Sequence, residues 1–177
     1  MGRDKALLLL DGEPLVARAL RTLSGVCAEV AIGGGREELS RFGRVIPDER
    51  AECGPLGGIV SALEQSRFEW NLFLAVDTPF VPLRALGRLL GRAAESTGVC
   101  VMAKAGGELQ PLCAVYARRA LPVLRDELDA GRWKVTKAIA AAGVCELVEF
   151  EEADWFRNLN TPAEFAEAVG IKDPIER

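Results

Sequence analysis

Short apolar, β-prone runs alternate along this chain with stretches of helical spacing, and that alternation restricts it to few architectures. Residues 26–32 (VCAEVAI), 44–48 (RVIPD), 70–77 (WNLFLAVD), 98–105 (GVCVMAKA), 108–117 (ELQPLCAVYA) and 144–150 (VCELVEF) read as strands. Between them, Leu56, Ile59, Val60 and Leu63 fall at i, i+3, i+4 and i+7, one face of a helix. Leu83, Leu86 and Leu90 share a face in a second helix, and Leu121, Leu124 and Leu128 in a third. Such alternation implies βαβ units and a largely parallel sheet covered by helices on both faces. The unbroken LFLAV run fits a central strand. The consecutive strands on either side of Ala105-Gly106-Gly107 break the rhythm. They predict a hairpin or antiparallel insertion, and so a mixed sheet. With no internal repeat and no linker, the 177 residues are expected to form one α/β domain over 1–177.

Composition narrows the chemistry. The chain has no histidine, which removes Ser-His-Asp and Cys-His catalysis, His-based zinc sites and His proton shuttles. Carboxylates, Lys, Arg, backbone amides and a bound cation remain. A net charge of −4 argues against general nucleic-acid or anionic-membrane binding, and leaves a small anionic ligand open. Cys27, Cys53, Cys100, Cys113 and Cys145 include no CxxC pair and sit mostly in apolar runs, so reduced, buried thiols are expected. Cys53, beside a glycine-rich turn, is the one to test for reactivity. No apolar run nears the ~18 residues of a membrane helix. Residues 6–10 are too short for a signal-peptide core, so a cytoplasmic location is expected.

In open α/β sheets, ligands bind at the carboxyl ends of the strands. Asp77 closes the most apolar strand, and Pro79 and Pro82 restrict the backbone beyond it. There Asp77 can hold Mg²⁺, or it can cap the following helix, a task Thr78 could equally perform. Asp48 closes a shorter strand. After it, Gly54, Gly57 and Gly58 flank Pro55 and lead into an amphipathic helix. Such a turn lets a ligand reach the backbone and presents free N–H groups, although glycines also serve packing. Gly33-Gly34-Gly35 reads as a flexible strand end. Asn158 and Asn160 precede Thr161-Pro162-Ala163-Glu164, a helix start that needs one cap, not two asparagines. Arg3 and Lys5 place two cations within three residues, suited to phosphates or to a solvated basic end.

Taken in order, MGRDKALL, GPLGGI, VDTPF, LQPLCAVY and NLNTP resemble the molybdenum cofactor guanylyltransferases, the molybdopterin-guanine dinucleotide biosynthesis protein A family, from residue 1 to about residue 168. The resemblance implies a three-layer α/β/α Rossmann-like nucleotidyltransferase fold with a mostly parallel, mixed sheet. It implies a Mg²⁺-dependent enzyme that transfers GMP from GTP to the terminal phosphate of molybdopterin and releases pyrophosphate. Carried over by motif, Arg3 and Lys5 contact the GTP phosphates, Asp48 sits near the nucleoside, and Asp77 holds the metal. Gly54, Pro55, Leu56, Gly57 and Gly58 lie against the nucleotide. Asn158 and Asn160 line the side of the second substrate. Partners implied are the two small molecules and molybdenum-cofactor biosynthesis or acceptor proteins. A related enzyme using CTP or a sugar phosphate, or a non-catalytic cofactor-binding protein of the same fold, are the alternatives. The family pattern opens with an apolar strand and a glycine-rich loop, roughly LAGGxSxRMGxDK. The sequence here starts at the methionine of that pattern, and the expectation is that the strand and loop are lacking. Family members often carry Asn ahead of the arginine where Gly33-Gly34-Gly35 precede Arg36 here.

Overall fold

A computed structural model describes residues 4–34, 37–50 and 53–168. In chain order it contains a hairpin of β1 (Leu9–Leu10) and β2 (Glu13–Pro14), then α1 (Leu15–Ser24), β3 (Ile32–Gly33), β4 (Val45–Ile46) and α2 (Gly54–Gln65). There follow β5 (Trp70–Leu74), α3 (Leu83–Glu95), β6 (Cys100–Ala105) and β7 (Glu108–Ala117). The chain continues with α4 (Leu121–Asp129), α5 (Val135–Ala142), β8 (Cys145–Phe150) and α6 (Pro162–Ala168).

The main sheet has the order β5-β7-β6-β8. β7 runs antiparallel to both β5 and β6, and β8 runs parallel to β6. Three of the four strands therefore point the same way and only β7 opposes them, the mixed sheet that the sequence pattern implies. The hairpin at Ala105-Gly106-Gly107 is present. Gly106 and Gly107 both take positive φ, +57° and +82°, the backbone of a tight two-residue turn. β3 and β4 form a separate parallel pair.

Strand periodicity sorts the core into two layers. Cys100 and Met102 of β6, with Ala114 and Tyr116 of β7, pack under α2, α4 and α5. Val101, Ala103 and Ala105 of β6, with Cys113 and Val115 of β7, pack under α3 and against Leu23 at the end of α1. The α2 stripe of Leu56, Ile59, Val60 and Leu63 is buried as its spacing predicts. In α3 the buried stripe is Ala85, Leu86, Leu89 and Ala93, while Leu83 and Leu90 are half-buried. The leucine pattern had pointed to a face rotated from the true one, because small alanines fill the contact with the sheet.

One strand departs from expectation. β5 ends the four-stranded sheet instead of lying at its centre, and all five of its residues are half-buried. Its edge away from β7 faces a groove on whose far side lies β3. Cys53, Cys100 and Cys113 are buried as expected, Cys27 and Cys145 are only half-buried, and burial pushes the Cys113 thiol up to about 12. Among the described residues no helix is long and apolar enough to cross a membrane.

Candidate active site

The site is assembled at the carboxyl end of β5 from segments far apart in sequence. Asp4 accepts a hydrogen bond from the Ala6 amide (3.0 Å) and so caps a short 3₁₀ turn over Lys5–Leu7. That turn aims the Lys5 ammonium at two partners. It donates to the Asn160 side-chain oxygen, and it lies 3.6 Å from Asp77 Oδ2. Behind the carboxylate, the Leu159 amide donates to the Asp77 carbonyl oxygen at 2.8 Å, fastening the late segment to the end of β5. Leu159 is fully buried, and the asparagines flank it. Asn160 meets Lys5, and Asn158 enters a small pocket beside Asp77.

Neither Asp77 nor Thr78 caps a helix. α3 starts at Leu83 with Pro82 at its N-cap, and the Thr78 hydroxyl donates to the Ala75 carbonyl at 2.8 Å. The Asp77 carboxylate thus has no structural task in helix capping. At α6 the capping work is done by Thr161 and Glu164. The Glu164 amide donates to Thr161 Oγ1 at 3.2 Å, and Glu164 Oε2 accepts from the amides of Asn160 (2.6 Å) and Thr161 (2.8 Å). Those two amides hold the Glu164 carboxyl below its ordinary pKa. Both asparagine side chains are left for other contacts.

Asp48 lies across the cleft from Asp77, with Gly33, Gly34, Gly54, Pro55 and Gly58 around it. A Cβ on Gly34 would stand 3.2 Å from Asp48 Oδ2, and one on Gly58 would stand 3.2 Å from Asp48 Oδ1. The two glycines are therefore the wall against which the carboxylate rests. Partial burial there raises its pKa above the ordinary carboxylate value. α2 starts at the cleft with Pro55 in its first turn and no side-chain cap from Cys53, and a helix start presents N–H groups suited to an anion. Leu56 is wholly buried in the core, which leaves only its backbone for a ligand, and Gly57 packs against Cys53 Cβ. Cys53 itself is 7% exposed, a poor setting for a reactive thiol. Arg3, like Gly35 and Arg36, lies outside the described residues.

Gly34 offers a direct check on this wall. Its φ of +64° is left-handed, so Gly34→Ala is expected to cost about 1–2 kcal/mol in denaturant unfolding. Gly33→Ala meets nothing within 4 Å and should be nearly neutral. Equal midpoints for the two variants would contradict this geometry.

Asp77 borders two cavities. The larger, about 940 Å³, also has Asp4, Asp48 and the glycines at its polar end. The smaller, about 180 Å³, is lined by Asp77, Thr78, Asn158, Gln110, Pro111 and Cys113. Gln110 escaped the sequence reading. It reaches the site because β7 slips register against β6 between Met102 and Ala103, and the Tyr116 hydroxyl donates to the Pro111 carbonyl at 2.7 Å. The signal was Pro111 inside a strand, which marks a bulge.

Two curated relatives are similar over most of their length. A Pelotomaculum thermopropionicum protein named "Probable molybdenum cofactor guanylyltransferase" is 36% identical, covering 95% of this chain and 85% of its own. The Pseudomonas entomophila molybdenum cofactor guanylyltransferase is 32% identical over 91% of this chain and 86% of its own. Among solved structures, molybdopterin-guanine dinucleotide biosynthesis protein A from Archaeoglobus fulgidus superposes with a TM-score of 0.79 at 22% identity, over 96% of this chain and 91% of that one. The 2-C-methyl-D-erythritol 4-phosphate cytidylyltransferase from Thermus thermophilus gives 0.70 at 16% identity, over 93% and 91%. At these identities the two structures establish the fold alone, a Rossmann-like α/β architecture. The family model described as "MobA-like NTP transferase domain" matches residues 1–144, and the chain belongs to that family.

Proposed function

We propose that this chain transfers GMP from GTP to the terminal phosphate of molybdopterin and releases pyrophosphate. One observation carries the chemical side of the reading. Lys5 meets both Asn160 and Asp77, and Asp77 borders both a large cleft and a small pocket, so that two substrates can reach one carboxylate. The named activity of the relatives gives the substrates.

The chemistry suits a site without histidine. A phosphate monoester is largely ionised at neutral pH, its second pKa being about 6, so the nucleophile needs no general base. Attack on the α-phosphorus then depends on positioning and on neutralising charge. Lys5 pairs with Asp77 at 3.6 Å and is 37% exposed, which leaves its ammonium room to turn to the phosphates. The amides at the start of α2 and the glycine wall beside Asp48 suit the nucleotide, with Arg3 assigned to its phosphates. Asn158 and Asn160 face the second substrate.

Mg²⁺ fits the donors present. Among the described residues no cluster of three or more acidic, Cys or His side chains could cage a metal ion. Mg²⁺ commonly binds through one or two carboxylates plus substrate phosphates, and Asp77 supplies such a carboxylate. When bound, it would neutralise phosphate charge.

The test is pyrophosphate release from GTP or CTP, with molybdopterin, with and without Mg²⁺. GTP should be preferred by about tenfold or more, near 1.4 kcal/mol, and release should need the metal. Faster release from CTP would move the reading to the cytidylyl enzymes. Tight GTP binding with no release at all would favour a non-catalytic binding protein.

A further inference from the structure

β4 delivers Asp48 to the cleft, but the chain just beyond it is held by a different part of the molecule. On the strand side, the Gly34 amide donates to the Ile46 carbonyl at 3.0 Å, which fixes the backbone shortly ahead of Asp48. Beyond Asp48, the Glu49 amide donates to Ser61 Oγ at 3.1 Å, and Ser61 is a buried residue of α2. The Arg50 carbonyl lies along the first turn of the same helix, 3.6 Å from where a Cβ on Gly57 would stand. The side chains of Glu49 and Arg50 reach α4 instead.

α4 meets these two side chains with opposite charges in the matching order. Arg125 donates to the Glu49 carboxylate, and Arg50 lies 2.9 Å from Asp129 Oδ1. Arg125 and Asp129 share one face of α4 at i and i+4. Each directly follows a leucine, Leu124 or Leu128, that is buried in the core, so the packing of the helix fixes where both charges stand. The Arg125 guanidinium also donates to Glu64 of α2, which follows Ser61 at i+3. One side chain of α4 thus ties together the segment after Asp48 and the helix that starts at the cleft.

The array is poorly suited to holding the whole fold together. Arg50, Asp129 and Glu49 are about half exposed, and a single ion pair in that setting contributes little to stability. Several contacts on successive residues can nevertheless select one path for an exposed segment, because ordering the first lowers the entropy cost of the next. Asp48 sits between the strand and this clamp. Its carboxylate rests on Gly34 and Gly58, so its aim depends on how the backbone on either side is held.

We propose that Arg125 is a positioning residue for the nucleotide side of the site, with Asp129 as the second jaw of a clamp. Together they hold Glu49 and Arg50 against α2 and so keep the Asp48 carboxylate aimed at the cleft. The inference rests on the reading of Asp48 as a nucleotide contact. A group that orders this contact acts on the bound nucleotide and on the transition state alike, so its loss raises KM and spares kcat.

The test uses Arg125→Met, Arg125→Lys, and the charge swap Arg50→Asp with Asp129→Arg, made singly and together. KM and kcat for GTP, the melting temperature, and hydrogen exchange at the Glu49 amide are read for each. Arg125→Met should raise KM for GTP about fivefold and leave kcat within about twofold, while the Glu49 amide exchanges about tenfold faster. Arg125→Lys should recover part of both effects, since an ammonium keeps the charge but not the fork that reaches two carboxylates. Each single charge reversal should also raise KM, and the combined swap should bring it back toward the parent, a recovery that general loss of structure does not give. Unchanged KM and exchange in Arg125→Met would overturn the proposal. So would a fall in kcat and melting temperature in step with KM, or a combined swap that recovers neither KM nor exchange. Hydrogen exchange needs no nucleotide. A parent chain that turns over no GTP would therefore remove the proposed function, while the Glu49 amide would still decide whether the clamp holds its segment.

Discussion

Asp77→Ala is expected to lower kcat for GMP transfer by about three orders of magnitude, the scale seen when a group stabilising charge in phosphoryl or acyl transfer is removed. The melting temperature should hardly move, because the carboxylate does little for the fold. It caps no helix, and the 2.8 Å bond that fastens the Leu159 amide to this position uses the Asp77 main-chain oxygen, which alanine keeps. Its ion pair with Lys5 spans 3.6 Å between side chains 37% and 24% exposed, an arrangement worth about 0–1 kcal/mol. Asp77→Asn keeps the shape and removes the charge, so it should fall nearly as far as alanine. Initial rates over a Mg²⁺ titration, with thermal unfolding alongside, separate the cases. An alanine variant within tenfold of the parent would remove Asp77 from the metal and from the chemistry.

Local patterns mark the segments that the structure brings to the cleft. Asp77, three residues past the end of β5 and ahead of two prolines, glycines around Pro55, and two asparagines before a helix start each declare themselves within a few residues. Two glycines with positive φ make the β6–β7 turn legible in the same way. Asp11-Gly12, which closes the β1–β2 hairpin with φ values of +51° and +83°, carried an equally local signal that the strand and helix periods passed over. What the sequence did not disclose depends on pairing across long separations. β5 has the composition of a central strand, and only its neighbours reveal that one edge opens onto a groove. Gln110 enters the small pocket through a register slip that Pro111 hints at but does not aim. Asp4 sits between Arg3 and Lys5 in the sequence, and only the fold shows that it caps the turn carrying Lys5. Leucine spacing alone misjudged the face of α3 because alanines carry half of its buried stripe.

Lys5→Met tests whether the opening cation belongs to the site or merely decorates it. Methionine keeps an unbranched stem and loses the charge. The variant should lower kcat about 100-fold and raise KM for GTP, because an ammonium that helps the transition state more than the bound substrate acts on both. Lys5→Arg should recover part of the loss, since a guanidinium also binds phosphate but with a different reach. Asn160→Ala removes the acceptor that holds Lys5 together with one group on the second-substrate side, and should cost less than tenfold in KM for GTP. The order of these effects is informative. If Lys5 served only as a counter-ion to Asp77, Lys5→Met would leave KM for GTP unchanged and would raise the Mg²⁺ affinity of the freed carboxylate. If it serves the phosphates, KM rises and the metal requirement remains. Both quantities come from one set of rate measurements over GTP and Mg²⁺, and each role moves a different one.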